Sequence, residues 1–133
     1  MAYYENLPIY KKAVDLAIHL EQAVRGFSRY HKYAIGADLR SQARNIATLV
    51  IKANSQRDKT AALTELRDLC EEMKFLIVLG KEVKAFTSFK QFQIAATIAV
   101  DLSRQSEGWL GSSRKVQPPI KDFGGKRPES PAK

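Results

Sequence analysis

Cysteine occurs once in this 133-residue chain, at Cys70, which excludes an intramolecular disulfide and every zinc motif built on paired cysteines. Neither of the two histidines, His19 and His31, sits in a His-Glu-x-x-His or Glu-x-x-His spacing, so the ligand sets of zinc proteases and di-metal bundles are missing. No cofactor or metal is expected. Long apolar runs are absent too. The longest, residues 75–79, falls far short of the roughly 20 needed to cross a bilayer, and the opening Met-Ala-Tyr-Tyr-Glu-Asn-Leu-Pro has neither the basic start nor the apolar stretch of a secretory signal. The expected compartment is the cytoplasm, which also suits a single thiol. Gly124-Gly125-Lys126 lacks the rest of a phosphate-loop spacing, and the neighbours Glu71 and Glu72 point different ways on a helix and make no carboxylate pair. With no catalytic set in view, the chain is expected not to be an enzyme.

Acidic side chains are also in deficit. Fourteen Asp and Glu against 22 Lys and Arg leave +8 at pH 7, a charge that suits a polyanionic partner. Aromatics reach 9%, and of the few glycines (7) and prolines (5), four prolines lie beyond residue 117. What remains, 44% hydrophobic and 27% charged, reads as one helical globular module.

Pro8 suits the first turn of a helix, where its missing N–H has no intrahelical partner. Over 8–25, Ile9, Ala13, Leu16, Ala17, Leu20 and Val24 share one side, and Gly26 ends the run. Ser28 caps a second predicted helix reaching about residue 54, with a core stripe of Ile35, Leu39, Ala43, Ile46, Leu49, Val50 and Ala53. Asp58 caps a third over 59–86, which turns Ala62, Leu63, Leu66, Leu69, Cys70, Met73, Leu76, Ile77 and Gly80 inward. Thr87 or Ser88 caps a fourth, with Ile94, Ala95, Ile98, Leu102 and Trp109 on one side, running to about 110. Short loops between them predict an all-α fold, an antiparallel up-down-up-down four-helix bundle over 1–111. A disordered basic tail is expected over 112–133, because periodicity stops and, from Arg114, six basic and two acidic residues give +4.

Two surface features are left once the core is assigned. The second predicted helix carries Lys32, Arg40, Arg44 and Lys52 against one acid, Asp38, and Tyr33 is expected beside Arg40 and Arg44 on the side away from the core. With Arg114 and Lys115 in the tail, these form the candidate surface for RNA and DNA, bound through phosphates with little sequence preference because no base-reading motif accompanies them. The second feature is on the third helix, where Phe75, Val78 and Leu79 project away from the core stripe and mark a homo-oligomer interface.

The opening Leu-Pro-Ile-Tyr-Lys-Lys-Ala, the stretch Phe27-Ser28-Arg29-Tyr30 leading to Ile35-Gly36 and Leu39-Arg40, Asp58-Lys59 before a long helix with Ala85-Phe86 near its end, and the closing Gly108-Trp109-Leu110 together resemble a known family. They look like the four-helix bundles of the Avd type, the accessory variability determinants of diversity-generating retroelements, whose wider relatives include proteins encoded in ribosomal RNA intervening sequences. The resemblance covers about residues 7 to 111. It implies a basic, noncatalytic homopentamer, bacterial or phage-encoded, that binds the retroelement's reverse transcriptase together with template RNA and cDNA and supports mutagenic copying. The intervening-sequence relatives imply the same bundle with another RNA-binding or scaffolding role.

Overall fold

The computed structural model describes residues 3–116, and the regular structure within them is helical. A 3-10 turn at Tyr4–Asn6 precedes α1 (Pro8–Arg25), α2 (Arg29–Lys32), α3 (Ile35–Ser55), α4 (Thr60–Glu82) and α5 (Phe89–Val116). α1 packs against α3 and α5, α3 against α4, and α4 against α5, so the four long helices close a ring around one core. Leu16, Leu20, Leu39, Ile46, Leu63, Leu66, Met73, Ile77, Leu102 and Leu110 fill it. Polar contacts tie the ring together: Lys12 to Asp101, the His19 ring to the Gln91 carbonyl, Gln42 to Glu72, and Glu71 to Ser103. His19 Nε2 must carry the proton in its contact, since a carbonyl oxygen can only accept. None of the helices among the described residues is long and apolar enough to cross a membrane.

The expected second helix is broken. Residues 29–32 form one turn, Tyr33 and Ala34 leave helical geometry (Ala34 φ −109°, ψ −101°), and α3 starts afresh at Ile35. The break has a packing cause. Phe27 is buried although it lies in the turn after α1, and Gly36 is pressed so close to α1 that a Cβ there would stand 2.7 Å from Val24 Cγ1, 2.9 Å from the His31 carbonyl oxygen and 3.3 Å from the Phe27 ring. The kink leaves all four residues of α2 outside the core.

α4 stops at Glu82, before the expected 86, in a Schellman arrangement. The Ala85 N–H reaches the Gly80 carbonyl and the Lys84 N–H that of Lys81, while Lys84 itself takes φ 63°, a left-handed geometry normally given to glycine. The freed Phe86 ring lies over Gly80, edge-on to Phe27 at 5.3 Å and to Phe92 at 6.1 Å. Ser88 caps α5 by accepting from the Gln91 N–H, and Gln91 Oε1 accepts from the Thr87 N–H and hydroxyl in return.

α5 departs from expectation at both ends. Ile94, assigned to its inner side, is 38% exposed, and Ala95, Ala99, Leu102, Ser106 and Leu110 make the inward stripe. The helix also runs through Gly108 and Gly111 to Val116, so neither glycine ends it. Buried Ser106 returns its hydroxyl to the Ser103 carbonyl, so it adds no unsatisfied group to the core. Residues 117–133, most of the expected tail, lie outside the described residues.

Two substitutions test these corners in opposite directions. Lys84→Gly should raise stability by about 0.5–1 kcal/mol, since glycine takes the left-handed geometry without steric cost but loses more chain entropy on folding. Gly36→Ala should lower it by about 1–3 kcal/mol, because a backbone carbonyl cannot yield as a flexible side chain would. Urea denaturation followed by circular dichroism measures both, and a neutral Gly36→Ala would mean that α3 can back away from α1.

Candidate nucleic-acid interface

Arg40 and Arg44 sit one turn apart on α3, and both face an acid that the local sequence does not reveal. Glu21, on α1, accepts a 2.6 Å hydrogen bond from Arg44 Nη2 and lies 3.2 Å from Arg40 Nε. The Arg40 Nε–H is not aligned on the carboxylate, so that contact is an ion pair without a hydrogen bond, and the buried Nε has no other acceptor among the described residues. Partial burial raises the Glu21 carboxyl, but the Arg44 hydrogen bond and the two guanidinium charges outweigh it and the net shift is downward. The expected ridge of bare cations is therefore a bridged triad of net charge +1.

Beside the triad, a cleft of about 210 Å³ opens between the end of α1, α2 and the start of α3. Glu21, Val24, Arg25, Lys32 and Arg40 line it, three cations to one carboxylate. Neither Arg25 nor Lys32 forms an ion pair among the described residues. Arg25 was not among the residues singled out from sequence. As the last residue of α1 it reads as an ordinary partner for the helix dipole, and nothing local signals that the chain turns Lys32 back toward it.

The other expected contacts are dispersed. Tyr33 lies in the break before α3, 72% exposed, and so not on the same helical face as Arg40 and Arg44. Lys52 is two turns beyond Arg44, about 12 Å along α3 at 1.5 Å per residue, and lines a different hollow with Asn45, Thr48, Leu49, Glu65 and Leu69. Arg114 is exposed near the end of α5, about 34 Å along that helix from Gln91 by the same rise. Lys115 falls in the last turn of α5, and its side chain is outside the described residues. The structure joins Lys32 and Arg40, adds Arg25, and keeps Lys52 and Arg114 apart from them.

Phe75, Val78 and Leu79 are 63%, 48% and 37% exposed, and Val83 extends the same stripe at the i+4 position from Leu79. The N-terminal 3-10 turn packs against α1 and α3. Elsewhere, burial pushes the Cys70 thiol up to about 11, which leaves almost no thiolate at neutral pH. Among the described residues no three His, Cys, Asp or Glu side chains are grouped to hold a metal. No protein-family model matches the chain, and no curated protein is significantly similar to it.

The Glu21 triad has a pH signature. A carboxyl whose folded pKa is lowered stabilises the fold above its unfolded value, 4.5, and that stabilisation is lost as pH falls through the folded value. Since all three side chains are partly solvent-exposed, the contribution is small, about 0.2–1 kcal/mol. Wild type should melt slightly above Glu21→Gln at pH 7, and the difference should vanish in strong acid. A difference that persists there would assign it to packing instead of charge.

Proposed function

We propose that the chain is a noncatalytic, oligomeric nucleic-acid-binding bundle that serves a diversity-generating retroelement, holding template RNA and cDNA for the reverse transcriptase it binds. The observation that carries the nucleic-acid part is the α1–α2–α3 corner, where Arg25, Lys32 and Arg40 surround one cleft on a chain of net charge +8. The partner enzyme, the cytoplasmic location in a bacterial or phage setting, and a fivefold assembly rest on the resemblance of residues 7 to 111 to the Avd type. The bundle is read as antiparallel up-down-up-down. Paired residues support this, because positions rise along one helix as they fall along its neighbour: Lys12 with Asp101 and His19 with Gln91, then Glu71 with Ser103 and Lys81 with Phe92.

Self-association is read at the Phe75, Val78 and Leu79 stripe. Light scattering should give a mass that is a multiple of 15.0 kDa, and Val78→Asp should shift it toward the single chain, because a buried unpaired charge costs several kcal/mol. A clean single-chain mass for wild type would remove this part of the reading.

Nucleic-acid binding is tested by salt titration on unrelated RNA and DNA oligonucleotides. Affinity should fall with salt at a slope of about −0.7 per phosphate contact on single strands and −0.9 on duplex. Arg40→Gln with Arg44→Gln should weaken binding to every sequence alike and flatten the slope, whereas Glu21→Gln, which releases both guanidiniums, should strengthen it. Co-purification with a retroelement reverse transcriptase separates this reading from the intervening-sequence one, which requires RNA binding without that enzyme.

A further inference from the structure

The corner has one property that phosphate binding alone leaves unused. α2 buries none of its four residues, yet Tyr30 within it and Tyr33 just after it are 77% and 72% exposed. Neither ring belongs to the core, and the Tyr30 ring stands edge-on to that of His31 at 5.3 Å. Between them in sequence stands Lys32, which lines the cationic cleft. The cleft, of about 210 Å³, has room for a phosphate group. Arg40 lines its wall, with its Nε buried 3.2 Å from the Glu21 carboxylate.

We propose that this corner is a seat for single-stranded nucleic acid, with a backbone phosphate held in the cleft by Arg25, Lys32 and Arg40 and flanking bases stacked on Tyr30 and Tyr33. The inference rests on the nucleic-acid reading above and adds the strand class and the two tyrosines. Cations beside exposed aromatic rings are what an unpaired strand requires, because its bases have open faces. In a duplex those faces are covered by neighbouring base pairs, so the tyrosines would contribute nothing and only the cations would bind.

Fluorescence anisotropy of the full chain with labelled oligouridylate, oligothymidylate and a mixed-sequence duplex tests the assignment. Tyr30→Ala with Tyr33→Ala should weaken the single strands about 5- to 150-fold for each base that loses its stack, leave the duplex within about twofold, and leave the salt slope unchanged. Arg25→Gln with Lys32→Gln should weaken all three ligands and flatten the slope by about 0.7 per lost contact on the single strands. Circular dichroism melts check that these exposed substitutions leave the fold intact. An undiminished single-strand affinity in the tyrosine variant, or an equal loss on strand and duplex, overturns the seat while the nucleic-acid reading stands. Wild type that binds none of the three at low salt overturns that reading itself. Loss of reverse-transcriptase capture with strand binding intact would assign the tyrosines to the protein partner instead.

Discussion

Phe27 is the contact on which one end of the molecule depends. It lies outside any helix, yet it is buried, with its ring against Gly36 at the head of α3 and edge-on to Phe86 beyond the end of α4. Each of these neighbours is there because a glycine lets it approach: Gly36 seats α3 on Val24, and Gly80 receives the Phe86 ring, where an added Cβ would stand 2.9 Å away. The α1–α2 turn and the α4–α5 turn are thus clasped by one aromatic cluster. Its consequence for the surface is register. With α3 held against the last turn of α1, Glu21 falls opposite both Arg40 and Arg44, and Arg25 falls beside Lys32. The charge pattern at the corner is a product of the packing beneath it.

The reverse dependence is weak. An exposed ion pair contributes at most about 1 kcal/mol, whereas emptying a buried Phe site costs about 3–5 kcal/mol. Glu21 therefore sets local potential more than it holds the helices together. Its carboxylate cancels one of two guanidiniums, and the triad with Arg25 and Lys32 sums to +3. Four other cations have acids within 4 Å: Lys12 meets Asp101, Lys74 meets Glu71, Arg67 meets Asp68 and Lys81 meets Glu82. The corner leaves positive charge in excess around a concave surface, a geometry in which it acts strongly on a polyanion.

The helices and their inner faces were legible because burial imposes a 3.6-residue period on the residues themselves. All seven residues of the expected stripe on the second helix, from Ile35 to Ala53, are buried. The break at Tyr33–Ala34 and the early end of α4 were hidden for a common reason: each goes with a ring or side chain packed onto a glycine, Val24 on Gly36 and Phe86 on Gly80, and such a contact leaves no mark in the hydrophobic period. Lys84 in left-handed geometry reinforced the error, since the residue type argues for a continuing helix. At the site, the wheel placed Arg40 and Arg44 together, but their counterion comes from 19 positions upstream of Arg40, across a helix interface. Arg25 was missed on the same account, as its role exists only once the chain has folded back.

The order of helices around the ring also bears on how the proposed assembly and the proposed binding corner share one small chain. α1 contacts α3 and α5, and α4 contacts the same two, so α1 and α4 occupy opposite edges of the ring. The apolar stripe is on α4, while Glu21 and Arg25 are on α1. A two-fold contact of α4 with α4 leaves the α1 edge of each copy uncovered, whereas a fivefold ring joins each α4 stripe to a different face of the next copy and leaves the corner open where that face is not α1. Where it stays open, every added copy adds a cationic corner to the surface. A single corner offers few phosphate contacts, but several on one body engage the same strand at high effective concentration, so the affinity of the whole grows without any new contact in the part.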